Sequence, residues 1–193
     1  DADTLCSLTS HGYFNLAGHN SGSAMDQHIL LFAHAYTPSN AEGIPLGITQ
    51  SVERTPMDLR ELLPIQTHIE DSFPQLVQAK GYDHNYVING NIVELRPAAI
   101  AMSDLTGISM RVDSTMPGIH FYTANYVSVD HPGKGGCTYG PRHGFCLETQ
   151  FYPDAIHHES FPSPILEAGK VYNHSTVFSF NNLILLFLTI SVT

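Results

Sequence analysis

The chain has 193 residues, of which 42% are hydrophobic and 13% are charged, and these values are typical of one globular domain with a hydrophobic core. Its 18 acidic and 8 basic residues give a net charge of −10, which opposes binding to nucleic acid or to anionic lipid. We therefore predict neither a nucleic-acid partner nor a membrane partner.

Short segments rich in Val, Ile, Phe, Tyr and Thr recur along the chain between scattered Gly and Pro residues. We predict strands, in chain order, at residues 28–36, 86–95, 108–112, 119–129, 145–151 and 171–180. Two prolines bracket residues 58–63, the only helix-tolerant stretch, so little helix is expected. Short strands with frequent turns predict an all-β sandwich or barrel.

The apolar run at residues 183–192 is shorter than the roughly 20 residues that a membrane helix needs. Its β-branched content favours a buried or edge strand over a membrane anchor. No repeat or low-complexity linker divides the chain, which favours a single domain.

The cysteines Cys6, Cys137 and Cys146 are odd in number, and their spacing fits neither a zinc ribbon nor a redox pair. The first residues also lack the basic and apolar leader of a secretory signal. Both features predict a reduced, cytoplasmic compartment.

Strand alternation indicates where the polar side chains of two predicted strands lie. Successive residues of a strand point to opposite faces of the sheet. In residues 145–151 this separates Glu148 and Gln150 from an apolar face, and in residues 119–125 it does the same for His120 and Tyr122. These four side chains are expected to form a polar layer that lines a cleft.

Several blocks, in order along the chain, resemble the aldose 1-epimerase (galactose mutarotase) family. They are LTSHGYFNL at 8–16, IPLG at 44–47, GYDHN at 81–85, GIHFYT at 118–123, GFCLETQ at 144–150 and the segment 162–169. The resemblance covers about residues 1–180 and corresponds to the C-terminal portion of the family. It implies a partial galactose mutarotase-like β-sandwich (supersandwich), incomplete at its N-terminal side and followed by a divergent apolar tail at 181–193.

The resemblance also implies a reaction, the interconversion of the α and β anomers of free aldohexoses such as glucose and galactose. Ring opening needs a base for the anomeric hydroxyl and an acid for the ring oxygen. By resemblance, the base is Glu148 and the acid is His11, and no metal or organic cofactor takes part. The resemblance also implies four residues that contact the sugar: Gly12, Tyr13, Asp83 and His120, the last replacing a family Gln.

Each catalytic or sugar-binding assignment has a plainer structural alternative. Glu148 is also explained as a solvent-facing strand carboxylate, His11 as one loop histidine among 12, and Asp83 as an Asx-turn residue. His157, His158 and Glu159 lack further ligands at usable spacing, so no metal site is predicted there.

Two alternatives to an active enzyme stay open. The same sandwich can serve as a non-catalytic carbohydrate-binding module, with aromatic side chains holding a sugar without turnover. A fragment without a function of its own is the other alternative, because the family's N-terminal portion supplies further sugar contacts. Missing strands would leave sheet edges exposed, and self-association through such edges is expected.

Overall fold

The computed structural model describes residues 1–182, so the apolar run at 183–192 lies outside the described residues. The strands are β1 Thr4–Leu5, β2 Tyr13–Phe14, β3 His28–Leu31, β4 Ala33–Tyr36, β5 Gln50–Ser51, β6 Leu63–Pro64, β7 Asp83–Ile88, β8 Arg96–Met102, β9 Ile108–Ser114, β10 Gly118–Tyr122, β11 Phe145–Gln150, β12 Ile165–Leu166 and β13 Thr176–Asn182. Helix α1 spans Pro74–Ala79, and short 3₁₀ turns occur at Ile65–Thr67, Lys134–Gly136 and Ala155–His157.

Within residues 1–182 the strands form two large antiparallel sheets. The site sheet has six strands in the order β2-β11-β10-β7-β4-β5, and the second sheet has five in the order β13-β9-β8-β3-β6. A separate pair joins β1 to β12. The all-β sandwich expected from the strand pattern is confirmed.

The core lies between the two large sheets and contains alternate residues of β10 and β11. On the site sheet it includes Phe121 of β10 with Phe145 and Leu147 of β11, while Ile29 and Met110 come from the second sheet. All five side chains are fully buried. The residues between them on β10 and β11 therefore face away from the core, as strand alternation predicts.

The predicted strand at 28–36 is two strands that belong to different sheets. His28–Leu31 pairs in the second sheet and Ala33–Tyr36 pairs in the site sheet. The chain changes sheet at Phe32, whose backbone N–H donates to the carbonyl of Ala98 at 3.0 Å. One apolar run thus supplies a strand to each sheet. The division was not predicted, because a hydrophobic pattern does not show which neighbour each half pairs with.

Strand β8 lies in the interior of the second sheet, although the sequence analysis did not predict it. Arg96–Met102 contains Pro97 and several alanines, which are depleted in strands. A register shift between Pro97 and Ala99 accommodates the proline, which has no N–H to donate. Pairing on both sides, with β3 and β9, outweighs the weak local preference.

Residues 58–63 are not the only helix-tolerant stretch, since the described α-helix lies elsewhere, but the low helix content is confirmed. Residues 58–62 are irregular, because Asp58 accepts hydrogen bonds from the backbone and guanidinium of Arg60, which compete with helical bonds. The described α-helix is Pro74–Ala79, where proline occupies the first turn and needs no donor. Lys80 ends it in the left-handed conformation with φ of 57°.

The other predicted strands end or begin at different residues. Segment 86–95 is replaced by β7, which ends at Ile88, and segment 119–129 ends at Tyr122. Segment 171–180 becomes strand only from Thr176. Gly90 and Ala124 have positive φ just beyond β7 and β10, so the backbone turns away from the sheet there.

His84 of β7 is buried, and its side chain lies on the core side of the site sheet. Its Nδ1 accepts the backbone N–H of Asp83 at 3.0 Å, and its ring meets Tyr36 edge to face. Burial lowers the pKa of His84 to about 4, with a smaller effect in the same direction from His120. The imidazole is therefore neutral in the folded chain near pH 7.

Acid is expected to destabilise the fold through His84. In the unfolded chain the pKa of this histidine is near its ordinary value of about 6.5, whereas burial lowers it in the folded chain. Between these two pKa values the unfolded chain binds a proton that the folded chain does not, so the free energy of unfolding falls as the pH drops from above 6.5 towards 4. The loss is on the order of 3 kcal/mol. Urea unfolding between pH 7 and 4 measures it, and His84→Gln should flatten the slope while His68→Gln on the surface should not. An equal slope in both variants would contradict this assignment.

Among the described residues, no helix combines the length and apolar character needed to cross a bilayer.

Candidate active site

The outward face of the site sheet carries two rows of side chains across neighbouring strands. The first row follows the register Tyr13, Cys146, Tyr122 and Asp83 from β2 to β7. The second row contains the three residues Glu148, His120 and Asn85. Residues directly opposite in antiparallel strands have side chains within contact distance. The predicted polar layer of Glu148, Gln150, His120 and Tyr122 is therefore present on one face, with Gln150 opposite Gly118 on β10, and β7 extends it.

His11 precedes β2, and the pairing of β2 with β11 brings it to Glu148. Its Nε2 lies 3.4 Å from Oε1 of Glu148. The His11 side chain is 52% exposed, whereas that of Glu148 is only 9% exposed. The structure thus places a reachable imidazole against a buried carboxylate, which excludes the alternative of a solvent-facing Glu148.

Burial raises the pKa of the Glu148 carboxyl, because the charged form loses hydration. The nearby His11 and His120 oppose this shift, and the negative charge of Asp83 adds to it. A carboxylate with a raised pKa is a stronger proton acceptor than a free one.

Aromatic rings surround the His11 side chain. Tyr13 stacks on it with ring centroids 5.1 Å apart, and Tyr122 meets it edge to face at 6.3 Å. Burial raises the pKa of Tyr13 to about 12, so its hydroxyl remains protonated at neutral pH. Apolar ring faces beside hydrogen-bonding groups are typical of small-molecule sites.

Asp83 and His120 form a second acid and imidazole pair on the same face. Nε2 of His120 lies 2.8 Å from Oδ1 of Asp83. The other ring nitrogen of His120, Nδ1, is buried without a hydrogen-bond partner among residues 1–182, as is Oδ1 of Asn85. Buried polar atoms are nearly always paired in the working state of a protein. These two atoms thus have hydrogen-bonding capacity that the described residues do not use.

The two glycines of the site differ in what the structure requires of them. A Cβ at Gly118 would lie 2.3 Å from Oδ1 of Asn85, so only glycine leaves room for that amide. A Cβ at Gly12 would lie 3.5 Å from the Phe14 ring, an ordinary contact distance. The sugar-binding role of Gly12 therefore stays a prediction from the sequence block.

Two residues at this site had no role in the sequence analysis. The thiol of Cys146 lies 3.5 Å from Nδ1 of His11, and Asn85 occupies the row of Glu148 and His120. Strand alternation already placed Cys146 on the Glu148 face. Asn85 became evident only from the register of β7 with β10.

A separate apolar groove of about 860 Å³ borders the site at Tyr13. Phe14, His19, Tyr139 and Phe180 also line it, but His11, Glu148 and Asp83 do not. The groove is mainly apolar, whereas the two rows carry the hydrogen-bonding side chains of the site.

One cluster among the described residues has the composition of a metal site. His11, Cys146 and Glu148 each offer one ligand atom, and these atoms lie within 4.8 Å of one another. The His157 and His158 pair instead contacts the Asp154 carboxylate.

Comparison with known proteins identifies the family. The family model described as aldose 1-epimerase matches residues 1–179. The chain belongs to the aldose 1-epimerase family. Galactose mutarotase from Mus musculus is 36% identical over 178 residues, covering 92% of this chain and 50% of that protein. Aldose 1-epimerase from Haemophilus influenzae is 33% identical over 183 residues, covering 93% and 52% respectively.

Solved structures show that the aldose 1-epimerase chain has the predicted galactose mutarotase-like fold. An aldose epimerase homologue from C. elegans superposes with a TM-score of 0.82 at 25% identity, covering 94% of this chain and 53% of that chain. Galactose 1-epimerase from Lactobacillus acidophilus NCFM, at 24% identity, gives 0.72 and covers 94% and 50%. The chain spans about half the length of the curated relatives it matches.

Proposed function

We propose that this chain carries the acid and base of an aldose 1-epimerase that interconverts the α and β anomers of free aldohexoses. The observation that carries the proposal is the 3.4 Å approach of His11 Nε2 to Glu148 Oε1 on the outward face of the site sheet. The anomeric hydroxyl and the ring oxygen are bonded to the same carbon. The base for the hydroxyl and the acid for the ring oxygen must therefore lie no further apart than the width of one sugar ring. This pair satisfies that requirement.

Glu148 acts as the base in the proposed ring opening. Its carboxylate accepts the proton of the anomeric hydroxyl while that oxygen forms the carbonyl. Strand β11 is hydrogen-bonded on both sides, to β2 and β10, which holds the carboxylate in a fixed position. A rigidly held base contributes more to the rate than a mobile one.

His11 acts as the acid in the same step. Its protonated imidazole donates a proton to the ring oxygen as the bond from that oxygen to the anomeric carbon breaks. The open aldehyde then rotates about the bond to its neighbouring carbon, and the reverse proton transfers close the ring as the other anomer. Both groups regain their starting protonation, so the cycle needs no cofactor.

Asp83 and His120 are proposed to bind the sugar hydroxyls, with Tyr13 and Gly12 at the opposite side. A carboxylate accepts several hydrogen bonds, and the partnerless Nδ1 of His120 accepts or donates one more. The 2.8 Å contact between Asp83 and His120 fixes both groups before the sugar arrives. Preorganised groups lose less entropy on binding.

Polarimetry of freshly dissolved α-galactose and α-glucose tests the function directly. We expect the optical rotation to reach its equilibrium value faster in the presence of the chain than in buffer alone. Sugar binding without acceleration would support the carbohydrate-binding module instead, and neither binding nor acceleration would support the fragment without a function of its own.

Asp83→Asn is expected to weaken sugar binding by about tenfold, because a charged hydrogen-bond acceptor contributes about 1.5 to 3 kcal/mol and the neutral amide that replaces it retains about 0.5 to 1.5 kcal/mol. Isothermal titration calorimetry with galactose measures the change. Asp130→Asn, at an exposed loop position, is the matched control and should bind as the parent does. Equal affinity in Asp83→Asn would remove Asp83 from the sugar site.

We also propose a cytoplasmic location and self-association through the exposed edge of the site sheet. Strand β5 lies at that edge, and both of its residues are exposed. An unpaired strand edge offers backbone groups to a second chain. Light scattering should show a concentration-dependent mass that Gln50→Pro lowers; a constant monomer mass would overturn the association.

A further inference from the structure

The His11, Cys146 and Glu148 side chains converge from strand β11 and from the loop that precedes its partner strand β2. Nε2 of His11 lies 3.4 Å from Oε1 of Glu148, and Nδ1 of the same ring lies 3.5 Å from Sγ of Cys146. With metal bonds of about 2.0 Å to nitrogen or oxygen and about 2.3 Å to sulfur, ligand atoms of a tetrahedral zinc site are about 3.3 to 3.6 Å apart. Each of these two contacts already has that spacing.

A single ion binds only one nitrogen of the His11 ring, so it can use only one of these two contacts as it stands. The third ligand atom must come closer to the other two. The candidate ligand atoms all lie within 4.8 Å of one another, and the remaining gap is about one ångström or a little more. The His11 side chain is 52% exposed and precedes the strand, so it has room to adjust. Cys146 and Glu148 are two residues apart on β11, so their side chains lie on the same face of the sheet.

The donor set selects a particular class of ion. One thiolate, one imidazole and one carboxylate suit Zn²⁺ and chemically similar borderline ions, whereas Mg²⁺ and Ca²⁺ prefer oxygen ligands alone. Three protein ligands leave a fourth tetrahedral position for water. The nearby carboxylate of Asp83 adds negative charge that favours a cation.

We propose that His11, Cys146 and Glu148 form an inhibitory site for a thiophilic divalent cation of the Zn²⁺ class. The ion is not a cofactor of the proposed reaction. It occupies the proposed base and acid, so neither is available to the sugar while the ion is bound. Cys146 distinguishes this site from the acid and base pair, because the proposed ring opening does not use the thiol.

Cobalt(II) titration of the whole chain, under reducing conditions and without sugar, tests the site. Thiolate ligation of Co²⁺ gives a near-ultraviolet charge-transfer band, and tetrahedral geometry gives strong visible bands. We expect both bands to saturate at one ion per chain, and Zn²⁺ to abolish them because it binds more tightly than Co²⁺.

Single variants assign the ligands. Cys146→Ser should lose the charge-transfer band and bind Co²⁺ at least about tenfold more weakly, whereas Glu148→Gln should keep the band with weakened affinity. Cys137→Ser and Cys6→Ser are matched controls, since these free thiols lie outside the cluster, and both should behave as the parent. Thermal unfolding of each variant establishes that it is folded.

The absence of a charge-transfer band in the parent chain would overturn the proposal, as would a band that survives Cys146→Ser or disappears in Cys137→Ser. If the Cys146→Ser chain does not fold, His11→Ala supplies the second test, and unchanged Co²⁺ affinity there has the same negative meaning. The readout is the absorption spectrum of the bound metal, so the test of metal binding does not depend on whether the chain catalyses mutarotation. The inhibitory role rests on the proposed function, so a chain that binds Co²⁺ through Cys146 but does not accelerate mutarotation would refute that function and the inhibition, while the metal site would stand.

Discussion

Glu148→Gln is expected to lower the rate of catalysed mutarotation by about 10²- to 10⁴-fold, which is the usual contribution of one general base. The amide has nearly the same shape as the carboxylate but cannot accept the anomeric proton. It retains hydrogen-bonding capacity, so sugar affinity should change much less than the rate. Initial rates of optical rotation over a series of galactose concentrations separate these two effects.

The base assignment has both a partner test and a matched control. His11→Asn removes the imidazole at the 3.4 Å contact and should cause a loss of similar order. Glu159→Gln alters an exposed glutamate that belongs to neither row of the site and should leave the rate unchanged. If Glu148→Gln retains the parent rate, Glu148 is not the base, whatever its distance from His11.

Phe121→Ala is expected to reduce the free energy of unfolding by about 3 to 5 kcal/mol. The Phe121 side chain is fully buried, with its ring centroid 5.2 Å from that of Tyr82 and 6.4 Å from that of Phe145. Removing the ring forfeits its burial and leaves a cavity between rigid strands. Urea unfolding followed by circular dichroism measures the loss.

Phe121 also lies between His120 and Tyr122 on β10, so its loss should disturb the proposed sugar site. Val171→Ala is the matched control, because Val171 is 86% exposed and its truncation should change stability by less than about 0.5 kcal/mol. A loss below about 1 kcal/mol for Phe121→Ala would show that the core between the sheets is not closely packed at this point.

Local periodicity was sufficient to predict the face on which Glu148 lies. Alternation within residues 145–151 placed its side chain away from Phe145 and Leu147, and both of these are buried in the core. The same count placed His120 on the outward face. Such predictions succeed because alternation follows from the geometry of an extended strand and needs no knowledge of its neighbours.

The position of His11 could not be derived from local pattern. Its ring and the thiol of Cys146 are separated by 135 residues in sequence and meet only because β2 pairs with β11. A loop histidine has no periodic signal, and only the resemblance of residues 8–16 to a family block distinguished it from the other histidines. Strand pairing between distant segments depends on packing of the whole sandwich.

By itself, the sequence determined the family, the all-β class and the outward face that carries Glu148 and His120. The tertiary structure decided the division of residues 28–36 between two sheets, the interior position of β8 and the location of the helix. It also decided the contacts of His11 with Glu148 and of Asp83 with His120. The physical reason is that side-chain alternation is a property of each strand, whereas register and neighbours are set by long-range burial of both sheets.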